Sequence, residues 1–329
     1  MNNNEIDFVL IWVDNNDEEW LKSFQQYKYG EQRESSERFR DWDNLHYWFR
    51  AVEKNANWVR KIHFVTCGHY PKWLNKAHPK LNLVSHQDYI DLEHLPTFSS
   101  HVIEINLHKI QGLSEKFVFF NDDFFLLNPT MQEDFFQNDL PCDAMILNAH
   151  AGDGVSHIIM NNLLVLNKYF HKKQVIKNNI WKWLNLKYGV NLLRSFCLLP
   201  WPKFTGFYDP HLPQAFLKST FERVWELESD LMNEVSSHKF RDSKDINQYL
   251  MRYWQLVSGQ FSPISIMKQG RTYHLRDDNI EQSVNMIKNS TYKMCCINDT
   301  AHISDFKFVK QKINQALEEK FPEKSSFEI

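Results

Sequence analysis

The first apolar run, Ile6-Asp7-Phe8-Val9-Leu10-Ile11-Trp12-Val13, is one strand in length and is interrupted only by Asp7. Such a run predicts a strand buried on both faces. It ends at Asp14 in the polar turn Asp14-Asn15-Asn16-Asp17, after which a helix is expected from Glu18. Leu45, Trp48, Phe49 and Val52 then repeat at helical spacing, with Asp43 as the expected N-cap. A second strand is expected at Lys61 to Thr66, closed by Cys67-Gly68, then a helix near Trp73 and a third strand at Leu81 to Val84. Strands alternating with helices predict an α/β fold built on a mostly parallel sheet covered on both faces.

The run Phe117-Val118-Phe119-Phe120 stops at Asn121-Asp122-Asp123 and resumes as Phe124-Phe125-Leu126-Leu127. Two adjacent carboxylates between blocks of Phe need a partner, a proton or a cation. At the C-terminal end of a strand they lie where parallel sheets bind ligands, so Asp14 and this cluster are expected to converge on one crevice. Their oxygens suit Mg²⁺ or Mn²⁺, which in turn suits a diphosphate.

After about residue 130 the pattern turns helical. Phe221, Val224, Trp225, Glu228 and Leu231 outline one stretch and Ile246, Tyr249, Leu250, Tyr253, Trp254 and Val257 another, with a last helix from Asp305 to Phe321. The expected organisation is an α/β part over residues 1–137, a basic helical insertion over 138–207 and a helical part over 208–329 that completes the site. One continuous catalytic domain is the alternative.

With 43% hydrophobic residues in a chain of 329, a sizeable core is expected. The N-terminus lacks the pattern of a signal peptide and no run spans a bilayer, which points to the cytoplasm. Five cysteines, odd in number and without metal-ligand spacing, are expected to be reduced. Net charge is only −3, yet no Asp or Glu occurs from Gly154 to Tyr208, where Lys168, Lys172, Lys173, Lys177, Lys182, Lys187, Arg194 and Lys203 accompany three tryptophans. This segment reads as an acceptor-side or membrane-proximal element, or as an ordinary basic face; no nucleic-acid motif accompanies it.

Four segments, Ile6 to Trp20, Arg38 to Pro129, Tyr208 to Phe261 and Cys295 to Glu328, resemble in order the four conserved regions of the Stealth family. The matching motifs are Ile6-Asp7 with Trp12-Val13-Asp14, Arg38-Phe39-Arg40-Asp41, Leu95-Pro96-Thr97-Phe98 with Glu104, and Phe120 to Phe125. Ser237-His238-Lys239-Phe240-Arg241 and Ile297-Asn298-Asp299 complete the set. Asn15-Asn16-Asp17 and Ser99-Ser100-His101 depart from the common pattern, so the resemblance does not specify the sugar.

Members of that family are sugar-1-phosphate transferases, including bacterial capsular polysaccharide phosphotransferases. The resemblance implies a glycosyltransferase-A-like nucleotide-sugar-binding sheet flanked by helices. It also implies a nucleotide-sugar donor, usually a uridine diphosphate sugar, a glycan acceptor and attack at phosphorus. Because capsule and cell-wall glycans are usually assembled on polyprenyl carriers at the inner membrane leaflet, a polyprenyl-linked acceptor is one candidate, with the basic segment as its membrane-proximal element.

That chemistry needs charge neutralisation on phosphate oxygens and a base for the acceptor hydroxyl. Asp122 and Asp123 are the expected cation ligands, with Asn121 orienting a ligand or water. His211, in the Pro-stiffened turn Tyr208-Asp209-Pro210-His211, matches a motif histidine and is the expected base. Asp14 is its rival, or else a donor-binding residue or second metal ligand. Arg241, Arg38 and Arg40 offer guanidinium forks to phosphate, with surface ion pairs as the alternative. Trp12, Asp41, His101, Glu104 and His238 fall in matched segments and complete the substrate-binding set with Asn298 and Asp299, for which a helix cap is the competing explanation. Two other functions fit the same residues: a metal-dependent glycosyltransferase that releases UDP, and a non-catalytic glycan-binding protein.

Overall fold

The computed structural model describes residues 5–28, 40–152 and 154–329. Its strands are β1 (Ile6–Ile11), β2 (Ile62–Thr66), β3 (Leu81–Ser85), β4 (Lys116–Phe120), β5 (Phe124–Leu126), β6 (Phe136–Gln137), β7 (Leu140–Asp143), β8 (Gln214–Leu217), β9 (Ser262–Pro263), β10 (Gly270–His274) and β11 (Met294–Asn298). The central sheet runs β3-β2-β1-β4-β8, parallel except for the antiparallel edge strand β8.

The uninterrupted apolar runs follow from burial on both faces. Phe8 and Leu10 of β1, with Val118 and Phe120 of β4, point into one core, whereas Val9 and Ile11, with Phe117 and Phe119, point into the other. Asp7 is the exception inside β1. It is fully buried, and its carboxylate accepts from Arg60, His63 and the Ser114 N–H, which together outweigh the burial that would raise its pKa. This motif residue therefore anchors the N-terminal end of the sheet, away from the ligand edge.

Beyond β4 the chain turns, with the Phe124 N–H donating to the Asn121 carbonyl at 3.1 Å. It then enters a second sheet of order β10-β11-β5, where Phe124 is opposite Cys296. The Asp123 carbonyl accepts from the Ile297 N–H at 2.9 Å, so the carboxylate cluster is held at the junction of two sheets. A third small sheet, β6-β7-β9, straddles residue 137, and β8 and β11 join strands of the first 137 residues.

Several local expectations are corrected. Asn44 holds the N-cap position of the helix Leu45–Asn55 without a side-chain cap, because Asp43 occupies the left-handed region at φ 50° and turns its N–H to the Asp41 carboxylate. Around Trp73 the chain forms turns instead of a helix. The region after residue 130 is not wholly helical, since β6 to β11 lie there; their strands are short, and β10 is largely polar. The stretch from Phe221 to Leu231 is two helices, Lys218–Leu227 and Ser229–Ser236, divided where Glu228 leaves helical geometry. Asp305, which accepts from the Phe308 N–H at 3.0 Å, caps the final helix Phe306–Lys320, leaving Asn298 and Asp299 for other partners.

The basic insertion contains the helices Ser156–Tyr169, Lys172–Asn178, Ile180–Trp183 and Asn191–Leu198. Lys172 is not a surface charge. It is 2% exposed, and its ammonium donates to the carbonyls of Leu198 at 2.6 Å and Trp201 at 2.9 Å, where a helix end leaves acceptors unsatisfied. Lys182 likewise donates to the Gly259 and Phe261 carbonyls. No described helix is long and apolar enough to cross a membrane.

Candidate active site

The parallel order of β1 and β4 puts their C-terminal ends on one edge, and the antiparallel β8 brings the loop before it to the same place. Asp123 enters from the β4 turn, His211 from the loop ahead of β8 and Cys296 from β11. Their donor atoms lie within 4.8 Å of one another. His211 Nε2 is 3.8 Å from Asp123 Oδ2, and the Cys296 thiol donates to the same oxygen at 3.1 Å. Asp123 Oδ1 is buried with no hydrogen-bond partner among the described residues.

Electrostatics at the cluster favours an added cation. Burial pushes the Asp123 carboxyl up to about 6, against the Cys296 hydrogen bond and with help from Asp299. Asp122 reaches about 7, because the surrounding protein withholds bulk water and Asp123 and Asp41 add negative charge, even though its side chain is exposed at the mouth. Burial and Asp123 push the Cys296 thiol far up, which keeps it protonated and makes it a hydrogen-bond donor to the carboxylate. The orphaned Oδ1 of Asp123 is an acceptor that a hard divalent cation would satisfy, while Asp122 adds negative charge next to it in sequence but lies outside the group of ligand atoms within 4.8 Å of one another.

His211 carries the opposite bias. Burial lowers its pKa below 6.5, with Glu104 raising and Arg241 lowering it, so the imidazole is neutral at pH 7. Its ring packs edge-on against Phe124 at 4.9 Å, and its carbonyl accepts from the Thr272 hydroxyl. Tyr208, His211, Arg271, Thr272 and His274 line a cleft with a volume of about 400 Å³.

The remaining candidates form a supporting ring. Arg241 donates to the Ser100 hydroxyl at 2.7 Å, and its charge also acts on Glu104, whose Oε2 is buried with no hydrogen-bond partner among the described residues. His101 and His238 each spend Nδ1 on the buried Asp245, at 2.7 and 2.6 Å. This clamp joins the second and third matched segments, as does the stack of Phe98 on Phe240 at 5.2 Å. Asp299 accepts from Arg40 and from the Trp42 indole, both at 3.2 Å, and Arg40 also lies over the Phe306 ring. Asn298 pairs with His274 at 2.9 Å.

Asp14 takes its place at the edge through backbone contacts: its N–H donates to His69, and one carboxylate oxygen accepts the Asn16 N–H. Asn16 in turn reaches Asp41, whose charge acts on Asp122. Trp12 stacks on Phe64 and meets His69 edge-on, so its ring is partly committed to the core. Arg38 lies outside the described residues.

Sequence reasoning missed Cys296, Asp245, Arg271 and His274. The pair Cys296-Ile297 before Asn298-Asp299 repeated the apolar-then-polar signature of a strand end at a ligand edge, and that signal would have placed Cys296 beside the site.

Comparison with known proteins identifies the family. Residues 38–142 match the family model described as Stealth protein CR2, conserved region 2. The chain is 46% identical to a capsular polysaccharide phosphotransferase, WcwK, of Streptococcus pneumoniae, over 99% of each chain. It is 40% identical to the exopolysaccharide phosphotransferase cps2G of Lactiplantibacillus plantarum, covering 98% of this chain and 96% of that one. With the receptor polysaccharide phosphotransferase WefC of Streptococcus gordonii it shares 38% identity over 99% of each chain. Among solved structures, the galactosyltransferase LgtC with donor and acceptor sugar analogues is similar at a TM-score of 0.40 and 7% identity over 95% of each chain, too distant to bear on function.

Proposed function

The chain belongs to the Stealth family of polysaccharide phosphotransferases, and from that membership we propose that it transfers a sugar 1-phosphate from a uridine diphosphate sugar to a hydroxyl of a glycan acceptor. The product is a phosphodiester in a capsular or cell-wall polysaccharide, and uridine monophosphate leaves. The observation that carries this reading is the placement of a neutral His211 beside Asp123, whose buried Oδ1 has no hydrogen-bond partner among the described residues.

In the proposed reaction the acceptor oxygen attacks the phosphorus that bears the sugar. The bond from that phosphorus to the bridging oxygen breaks, and its electron pair leaves with the nucleoside monophosphate. His211 takes the acceptor proton, which a neutral imidazole next to the reacting phosphate can do. Arg241, tied to Ser100, offers its guanidinium to phosphate oxygens, and Glu104 balances that charge. Asp122 and Asp123, with Asn121 beside them, would hold Mg²⁺ or Mn²⁺, which when bound neutralises diphosphate charge. Asp14 and Asp41 border the same crevice and suit donor hydroxyls. The polyprenyl-linked acceptor and contact with the cytoplasmic face of the membrane belong to this proposal.

The test is product identity. A panel of uridine diphosphate sugars with acceptor glycan and Mg²⁺ is expected to yield a new phosphodiester signal in phosphorus NMR and one uridine monophosphate per linkage. Release of uridine diphosphate with a plain glycosidic product would instead establish a glycosyltransferase, and binding without turnover would leave a glycan-binding protein.

A further inference from the structure

The last part of the basic insertion, residues 180–201, is amphipathic in the reverse of the usual sense: in each of its short helical elements one residue is buried while large apolar neighbours face out. Trp183 is buried and stacks with Phe204, whereas Trp181 is 83% exposed. Tyr188 is buried and donates to the Lys182 carbonyl, whereas Leu186 is 88% exposed. Ser195 is buried and accepts the Leu147 N–H, whereas Val190, Leu193 and Phe196 are exposed at helical spacing. Lys172 fastens the end of the last helix, and Trp201 beyond it is 53% exposed.

Trp181, Leu186, Val190, Leu193, Phe196 and Trp201 are all exposed within one short segment, and exposed large apolar side chains concentrated in this way mark an interaction surface. We propose that this face docks on an anionic lipid bilayer as a peripheral surface, with Trp181, Leu186, Leu193 and Trp201 entering the headgroup and upper acyl region. Charge identifies the occupant. The segment from Gly154 to Tyr208 contains no acidic residue, and Lys173, Lys177 and Lys203 are exposed within it, which suits anionic headgroups. A second copy fits poorly, because a two-fold contact would bring the same uncompensated lysines together. Tryptophans with one apolar and one polar side suit the lipid–water boundary.

The docked face leads to the chemistry. From Trp201 the chain runs directly into the loop that carries His211, and Arg194 on the exposed helix lies 5.8 Å from the ring of Tyr208, which lines the cleft beside His211. Presentation of a lipid-linked acceptor to that cleft rests on the function proposed above; the docking itself does not.

Co-sedimentation of the full chain with vesicles tests it, using phosphatidylcholine alone and mixed with phosphatidylglycerol. The wild type is expected to partition onto the mixed vesicles with a blue shift of tryptophan emission. The combined variant Trp181→Ser, Leu186→Ser, Leu193→Ser and Trp201→Ser is expected to partition at least about tenfold more weakly. Lys173→Gln, Lys177→Gln and Lys203→Gln together are expected to erase the preference for anionic lipid. An unchanged melting temperature in these surface variants establishes that they fold. The proposal is overturned if the wild type binds neither vesicle, if the apolar variant binds as well as the wild type, or if that variant instead turns a solution dimer into monomers. Transfer to a water-soluble acceptor, which docking does not touch, reports separately on the transferase reading.

Discussion

His211 Nε2 lies 3.8 Å from Asp123 Oδ2, beyond hydrogen-bonding range, so the base is not consumed by the carboxylate beside it. The two side chains border the same small volume with opposite preferences: His211 is biased toward its neutral form, while Asp123 has no positively charged partner among the described residues.

His211→Gln is therefore expected to lower kcat by about 10²- to 10⁴-fold with little change in donor KM. The active form is the neutral imidazole, so activity falls as pH drops through the lowered pKa. At saturating cation the acid limb of kcat is expected below the ordinary histidine value of 6.5 and absent from the variant. A limb that persists in His211→Gln would assign the proton to Asp14 or another group.

Asp123→Asn separates the cation from the base. Saturating Mg²⁺ or Mn²⁺ is expected to raise the melting temperature of the wild type, with a stabilisation of about 2.7 kcal/mol at a hundredfold excess over Kd, and to leave the variant unmoved. With Asp122 at about 7 and Asp123 at about 6 without cation, protons compete as pH falls, so the cation-induced shift is expected to shrink through that range. An equal shift in wild type and variant, read by scanning calorimetry, would locate the cation elsewhere.

Arg252 sits behind the His211 loop and is almost fully buried. Its guanidinium donates to Asp143 at 2.7 and 2.8 Å, to Asp209 at 2.6 Å and to the Tyr208 carbonyl at 3.1 Å. Arg252→Met would take the guanidinium from the buried Asp143 and the partly buried Asp209, at a cost of about 3–5 kcal/mol in chemical denaturation. Arg252→Lys keeps the charge but loses the fork, and is expected to fold while lowering kcat through displacement of Tyr208 to His211. Equal stability of the methionine variant would mean that the network is not closed in solution.

The legible part of this fold was the part with strong periodicity. The runs at Ile6 and Phe117 announced inner parallel strands because both faces meet a core, and the polar residues ending each run marked the ligand edge. The second sheet was not legible. Gly270 to His274 reads as polar loop because it is a half-exposed edge strand held in place by pairing with β11, a long-range contact that no local pattern encodes. Lys172 shows the same limit, since its charge predicts a surface position that three backbone carbonyls override. The paired carboxylates and the family resemblance placed Asp123 and His211 among the candidates; the fold adds that the Cys296 thiol, on a strand of the second sheet, donates to Asp123.

Asp245 tests whether the supporting ring sets the site. Burial alone would raise its carboxyl, but the hydrogen bonds from His101 and His238 outweigh it and hold the pKa below 3.8. A carboxylate depressed in the fold contributes stability above its unfolded value and loses it as pH falls through the lower folded value. Asp245→Asn is thus expected to cost on the order of 3 kcal/mol at neutral pH and progressively less in denaturation below 3.8. The clamp also fixes the segments that carry Glu104 and Arg241, the two charges acting on His211. If it positions them, the variant shifts the acid limb of kcat as well as lowering kcat. A stability loss with an unshifted limb would make Asp245 a fold residue only, because a general loosening lowers the active fraction without retuning the imidazole.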